Sequence, residues 1–153
     1  MSYEAKLKEL GIELPEAPKP VAAYVSAVRA GGFVYTSGQI TMQQGVLKYV
    51  GKVGQDLTVE EGYQAARICA LNALSAVRAV AGSLDNIEQI VKVVGFVNSA
   101  DGFTEQPKVI NGASELLRDI FGSAGQHARS AVGANELPLN TAVEIEMIVK
   151  VRN

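Results

Sequence analysis

The chain has 153 residues, of which 48% are hydrophobic and 20% charged, and a formal net charge of −2, a composition typical of one globular domain. The chain is slightly acidic and lacks the excess of basic residues that is typical of a nucleic-acid binder, so no nucleic-acid partner is predicted. No apolar run approaches the roughly 20 residues of a membrane span, and the charged first residues contain no signal core, so we predict a cytoplasmic protein with no membrane partner.

The inventory of reactive side chains is small. A single cysteine, Cys69, and a single histidine, His127, exclude an intrachain disulfide and metal sites built from several cysteines or histidines. No G-x-S-x-G motif accompanies His127, and the glycines form no phosphate-binding loop. The prediction therefore contains no metal site, and Cys69 is interpreted as a buried core thiol.

The first twenty residues differ in character from the rest. Ser2 can cap a short helix that runs to Leu10 and ends before Gly11. Three prolines between Leu14 and Pro20 exclude regular structure there. We interpret residues 1–20 as an extension packed on a single domain, residues 21–153; a loosely held tail is the alternative.

The next elements are a hairpin and a long helix. Gly31-Gly32 separates two β-rich runs, Val21–Arg29 and Phe33–Ser37, as in a β-hairpin, and residues 43–54 have the weak signals of a loop or short edge strand. Thr58 and Glu61 form a capping box for a helix that reaches Ala81. Its apolar stripe has helical spacing and comprises Ala66, Cys69, Ala73, Val77 and Val80.

The middle of the chain predicts a buried strand and a second helix. Ile90–Asn98 is apolar on both faces, so we expect it to be buried on both sides. Thr104 can cap the following helix, with Pro107 in its first turn and an end near Phe121. One stripe of that helix is apolar and comprises Val109, Ala113, Leu116, Leu117 and Ile120.

The stretch from His127 to Val151 reads as two strands joined by a turn. Arg129–Gly133 is short and extended, and Asn135, Pro138 and Asn140 supply turn chemistry. Val143–Val151 alternates, with Glu144, Glu146, Ile148 and Lys150 on the less apolar face. An antiparallel pairing of the two strands would bring residues that are distant in sequence within reach of each other.

The element order predicts an α+β domain, with two helices packed on one face of a mixed sheet. Two helices can cover only one face, so apolar side chains on the other face need a different partner. Self-association is the simplest solution.

Two groups of motifs identify a resemblance. The C-terminal group is A-R-S-A-V at 128–132, L-P at 137–138 and V-E-I-E at 143–146; the N-terminal group is Tyr24-Val25 followed by V-Y-T-S-G-Q-I at 34–40. In order and spacing they resemble the RidA/YjgF family. The resemblance implies a chorismate-mutase-like α+β fold, a homotrimer, and cofactor-free hydrolysis of reactive enamines and imines, in which 2-imino acids yield 2-keto acids and ammonia.

The resemblance also implies site residues. Arg129 would hold the substrate carboxylate with its planar guanidinium, and Glu144 would position or activate water. Tyr24, Ser37, Gly38 and Asn111 would complete substrate binding.

Each assignment has a plainer alternative. Arg129 could be a surface arginine or pair with a glutamate, and Glu146 shares the strand parity of Glu144. Tyr24 could be a half-buried strand tyrosine, Gly38 a bulge and Asn111 a helix-surface residue. His127 lies two residues before Arg129, so an extended chain points both side chains to one side.

The sequence departs from the family pattern beside the expected pocket. Ala23 stands where the family has proline, Ala131 stands where it has cysteine, and the segment 99–108 is longer. These differences leave the substrate open. A non-catalytic carboxylate-binding or sensor protein on the same trimer is the alternative, while the acidic balance argues against a ribonuclease.

Overall fold

The computed structural model describes residues 2–19 and 23–153. The helices are α1 (Tyr3–Glu9), α2 (Val59–Ala81) and α3 (Gln106–Phe121). The strands are β1 (Ala27–Ala30), β2 (Phe33–Thr36), β3 (Met42–Gln43), β4 (Val46–Leu47), β5 (Ile87–Asn98), β6 (Ala128–Ala134) and β7 (Val143–Val151). Short 3₁₀ turns at Leu84–Asn86, Gly122–Gly125 and Pro138–Asn140 join some of them.

Five of the strands form one mixed sheet in the order β1-β2-β7-β5-β6. β6 runs parallel to β5, and the other neighbours are antiparallel. β3 and β4 form a separate two-stranded hairpin, so the predicted loop or edge strand at 43–54 does not extend the main sheet. The prediction of an α+β domain with a mixed sheet is confirmed.

The core lies between the sheet and the two long helices. The side chains of Val34, Val93, Ile145 and Val149 are fully buried, as are most of the predicted helix-stripe residues, namely Ala66, Cys69, Ala73, Val77, Val109, Ala113 and Leu117. Val80 is the exception, at 37% exposed; it lies in the last turn of α2. The capping box of Thr58 and Glu61 is present as predicted.

The helices approach each other closely where α3 has a glycine. A Cβ atom at Gly112 would lie 2.0 Å from the backbone oxygen of Tyr63 in α2. Glycine is therefore the residue that allows this spacing. A similar argument applies at Gly95 in β5, where a Cβ would lie 2.4 Å from the Cδ1 atom of Ile110 in α3.

The predicted pairing of the last two strands is wrong. β6 pairs with β5 in parallel, with Arg129 beside Val93, and β5 separates it from β7. The reason is that α3 carries the chain back along the sheet, and a strand that follows such a crossover runs parallel to the strand before it. β7 then occupies the other side of β5.

Some predicted boundaries also change. β1 begins at Ala27, because residues 23–26 bend and are held by hydrogen bonds from Ser26 Oγ to the Pro18 carbonyl and from Ser37 Oγ to the Val25 carbonyl; the first residues of the predicted strand, 21 and 22, lie outside the described residues. Thr104 does not cap α3. The N-cap is Glu105, without a side-chain cap, and Pro107 lies in the first turn.

The residues before the hairpin pack against the domain. Ser2 caps α1 as predicted, and Leu7 and Leu14 are buried. The ring of Tyr3 lies 4.7 Å from that of Phe121, and Ser75 Oγ donates to the Pro15 carbonyl at 2.8 Å. The division between an extension and a domain at residue 20 stays a prediction.

The sheet face opposite the helices is apolar and open in the single chain. Val28, Phe33, Tyr35 and Val132 are exposed, and they share this face with the half-buried side chains of Val94, Phe96 and Ile148. β5 is thus fully buried only on its helix side. An exposed apolar face of this kind is typical of an interaction surface.

Candidate functional site

Arg129 lies on the edge strand of the sheet and points toward α3. Its neighbour Val93 is buried beneath the helices, so Arg129 shares the helix-facing side. Its Nη1 atom donates to Asn111 Oδ1 at 2.8 Å and to Ser114 Oγ at 3.1 Å. Asn111 and Ser114 are three residues apart in α3 and therefore lie on the same side of the helix.

This arrangement divides the guanidinium into a held end and a free edge. Guanidinium has five N–H donors, and both Nη1 hydrogens are used by α3. In the described part of the chain, Nε and Nη2 make no hydrogen bond and Arg129 has no ion pair. The Nε–Nη2 edge has the geometry that binds a carboxylate in two parallel hydrogen bonds.

His127 belongs to the same cluster. Its Nδ1 lies 2.7 Å from the Gly125 carbonyl oxygen and its Nε2 lies 2.9 Å from Ser114 Oγ. Burial lowers the pKa of His127 below its ordinary 6.5; the hydrogen bond to Gly125 opposes this shift, and the charge of Arg129 adds to it. The imidazole is therefore neutral at neutral pH.

Glu144 lies elsewhere, on the open face of β7. It shares that face with Glu146, and Glu144 is half-buried whereas Glu146 is exposed. Burial raises the pKa of Glu144 above its ordinary value, and the charge of Glu146 raises it further. A carboxylate with a raised pKa is better suited to accept a proton from water near neutral pH, which favours Glu144 over Glu146.

Gly38 provides the space for the Glu144 side chain. A Cβ at this position would lie 1.9 Å from Glu144 Oε2 and 2.8 Å from Cδ. The structure therefore brings together two of the predicted site residues, Gly38 and Glu144, across the bridge between Gln39 and Ile145.

The other predicted residues of this cluster have different surroundings. The Ser37 hydroxyl donates to the Val25 carbonyl at 2.6 Å, and its backbone N–H donates to the Ser26 carbonyl at 2.8 Å. Both Ser37 donors are thus used within the hairpin, and only its oxygen atoms remain for a ligand. Tyr24 directly precedes Val25, the residue that accepts the Ser37 hydroxyl hydrogen bond. Its side chain is 58% exposed, so the ring is free to contact a ligand or a second chain.

The Arg129 and Glu144 clusters do not meet within one chain. Glu144 lies beside Phe96, which lies beside Val132, three residues beyond Arg129. Two strand spacings of about 4.8 Å and three residues of about 3.3 Å separate the two Cα atoms by roughly 14 Å. The two side chains also point to opposite faces, so the expectation that strand pairing joins them is wrong.

Ser114 is a functional candidate that the sequence patterns did not indicate. Its position three residues after Asn111 is the signal that could have found it, because those two positions share a helix face. A surface cavity of about 360 Å³ lies apart from both clusters and is lined by Gln43, Lys48, Tyr49, Gln64, Arg67, Ile68 and Leu71.

Among residues 2–19 and 23–153, no group of three or more His, Cys, Asp or Glu side chains could hold a metal ion. Within the same residues, every helix is too short or too polar to cross a membrane.

The protein is a small α+β domain in which a mixed five-stranded sheet lies beneath two helices. Its candidate functional residues are an arginine held at one edge of the sheet and a half-buried glutamate on the open face. The profile of the family described as "YjgF/chorismate_mutase-like, putative endoribonuclease" matches residues 4–151. The chain belongs to this family.

Similar proteins agree over nearly the whole length. Protein TCP17 of Trypanosoma cruzi is 45% identical over 97% of this chain and 94% of its own. The 2-iminobutanoate/2-iminopropanoate deaminase of Dermatophagoides farinae is 34% identical over 90% of this chain and 93% of its own. A crystal structure of a "putative endoribonuclease" from Shewanella oneidensis MR-1 superposes with a TM-score of 0.95 at 36% identity, covering 99% and 100% of the two chains.

Proposed function

We propose that this protein hydrolyses reactive 2-imino acids, and their enamine tautomers, to 2-keto acids and ammonia. The observation that carries the proposal is the free Nε–Nη2 edge of Arg129, whose other end is held by Asn111 and Ser114. A substrate with a carboxylate next to its C=N bond fits a rigid bidentate donor. The similarity to a 2-iminobutanoate/2-iminopropanoate deaminase supports the same substrate class.

The chemistry needs a water molecule and a place for its proton. Arg129 holds the substrate carboxylate, and the Glu144 carboxylate accepts a proton as the water oxygen bonds to the imine carbon. Glu144 passes this proton to the imine nitrogen, which gives an amino alcohol. The hydroxyl proton of the amino alcohol then moves to the amine through Glu144 as the C–N bond breaks, so that ammonia leaves and the carbonyl forms. The substrate is already activated, so the residues only bind, orient and move protons, and no cofactor is required.

We also propose that the working form is a homotrimer. Arg129 and Glu144 lie roughly 14 Å apart on opposite faces of one chain, so one small ligand cannot touch both. A neighbouring chain packed on the open face would cover Phe33, Tyr35 and Val132, and it could bring its own glutamate cluster to the Arg129 edge. The apolar character of the open face supports this assembly.

The decisive experiment compares Arg129→Lys with the wild type. Lysine keeps the charge but lacks the planar donor pair, so calorimetric titration with pyruvate should show at least about tenfold weaker binding, or about 1.4 kcal/mol, with an unchanged melting temperature. Ammonia release from an imine generated by an amino-acid oxidase should fall in parallel.

Arg118→Lys is the matched control, since Arg118 is an exposed arginine on α3 that pairs with Asp119. It should leave both measurements unchanged. Equal pyruvate affinity in wild type and Arg129→Lys would refute the site. Pyruvate binding without any ammonia release would instead identify a sensor or binding protein, a reading that the departures at Ala23 and Ala131 keep open.

A further inference from the structure

We propose that Ser114 and His127 are positioning residues, which hold the Arg129 guanidinium in its carboxylate-binding orientation and couple substrate binding to the protonation of one imidazole. The proposal deepens the function proposed above and rests on it. It starts from a continuous hydrogen-bonded chain that runs from Arg129 Nη1 through Ser114 Oγ and the His127 ring to the Gly125 carbonyl.

The direction of each hydrogen bond in this chain is determined by its ends. A carbonyl oxygen can only accept, so His127 Nδ1 must carry a hydrogen and donate it to Gly125. In the neutral ring Nε2 is then an acceptor, and the Ser114 hydroxyl must donate to it. The serine lone pairs are thereby turned toward Arg129, whose Nη1 can only donate.

This series of hydrogen bonds explains why the free edge of Arg129 has a single orientation. Arginine has a long side chain with many rotamers, and each must be restricted before two hydrogen bonds to a carboxylate can form together. Ser114 and Asn111 use both Nη1 hydrogens and so fix the plane of the guanidinium. His127 acts one step further away, because it fixes the direction of the serine hydroxyl.

His127 also makes binding depend on pH. The charged group that acts on His127 is Arg129, two residues further along the chain; α3 contributes the neutral Ser114, and the 3₁₀ turn contributes the Gly125 carbonyl. Lys92 of β5 lies beside Ala128 and therefore on the opposite face. A bound carboxylate offsets the Arg129 charge, so the His127 pKa is higher in the complex than in the free protein. Binding then takes up protons, and affinity for a 2-keto acid increases as the pH falls through the range between the His127 pKa of the complex and that of the free protein.

The test uses three substitutions. Ser114→Ala removes the bridge, His127→Leu removes the acceptor, and His127→Gln keeps an acceptor oxygen in a side chain that does not titrate. Ser114→Ala and His127→Leu should each weaken pyruvate binding and raise KM by about tenfold, the size of one lost orienting contact, with kcat within about twofold. Their double variant should be no worse than either single variant, because both act through one chain.

His127→Gln provides the readout that a merely structural role would not produce. It should retain affinity within about twofold at pH 8, where the wild-type ring is neutral, and lose the increase in affinity at lower pH. Ser123→Ala is the matched control, since Ser123 is exposed in the adjacent 3₁₀ turn, and it should behave as wild type. Full affinity in Ser114→Ala and His127→Leu, or a pH dependence that survives in His127→Gln, would overturn the proposal.

A ligand-independent measurement separates this proposal from the proposed function. His127 is the only histidine, so its Cε1 proton resonance reports its titration without assignment. Replacing Arg129 by Gln should raise the His127 pKa, because a neighbouring positive charge is removed; no change would refute the coupling even if the protein binds no 2-keto acid. If Arg129→Lys weakens binding but Ser114→Ala does not, the proposed function stands and this inference fails.

Discussion

Gly38→Ala should lower the rate of imine hydrolysis while leaving the stability of the fold nearly unchanged. The added Cβ would lie 1.9 Å from Glu144 Oε2, whereas real contacts of this kind are essentially never below 3.0 Å, so the carboxylate oxygen must move by about 1.1 Å. Misplacing a reacting group by 1 Å can cost about 100-fold in rate. We therefore expect kcat for imine hydrolysis to fall between about 10- and 100-fold, with little change in pyruvate affinity, which depends on Arg129.

The same substitution should affect folding only slightly. The obstructing atoms are the far end of a flexible side chain, and Gly38 is not among the glycines with a left-handed backbone. Removing glycine from the unfolded chain even favours folding by about 0.4–1 kcal/mol, so the melting temperature should change by no more than a few degrees in either direction.

Gly32→Ala is the matched control for Gly38→Ala. It lies in the same hairpin, and its Cβ would meet only the Val151 carbonyl oxygen at 4.0 Å. Both variants should be assayed for ammonia release, pyruvate binding and thermal unfolding. If Gly38→Ala and Gly32→Ala turn over the imine equally fast, Glu144 does not act on the water and the reasoning is wrong.

Three further predictions concern the helix packing, the charge of Glu144 and the oligomeric state. Gly112→Ala should destabilise the domain by about 1–3 kcal/mol or more, seen as a lower denaturant midpoint, because its Cβ would lie 2.0 Å from a backbone atom; an unchanged midpoint would contradict the close helix contact. Glu144→Gln should raise the melting temperature at pH 8, because ionising a carboxylate whose pKa is raised in the folded protein opposes folding. The difference in melting temperature between variant and wild type should disappear as the pH falls and Glu144 becomes protonated in both the folded and the unfolded protein. A higher melting temperature of the variant that persists at low pH would have another cause. Light scattering should give about 48.6 kDa, three chains of 16.2 kDa, whereas a stable monomer at micromolar concentration would refute the interface-built site.

Most of the local structure could be predicted from short-range chemistry. The capping box of α2, the serine cap of α1 and the alternation of β7 are each determined by a few neighbouring residues, and they occur as expected. The cap of α3 could not be predicted in this way, because Glu105 makes no side-chain cap and Pro107 is accommodated in the first turn instead.

The pairing of strands was the main failure, for a physical reason. The turn residues between β6 and β7 resemble those of a hairpin, but α3 returns the chain parallel to β5 before β6 begins. The sheet order depends on which strands bury the most apolar surface together, and this is a non-local property. The difference matters for function, because β5 lies between the strands that carry Arg129 and Glu144.

Helix α3 connects the stability of the domain with the geometry of the candidate site. One side of it packs tightly on the rest of the protein, with Ile110 against Gly95 and Gly112 against the backbone of Tyr63. Asn111 and Ser114 alternate with these contacts and hold Arg129. A shift of the helix would therefore move the guanidinium with it. The close glycine contacts thus restrict the position of a side chain that must meet a carboxylate within a few tenths of an ångström. A packed helix holds the arginine in this position more precisely than a loop would.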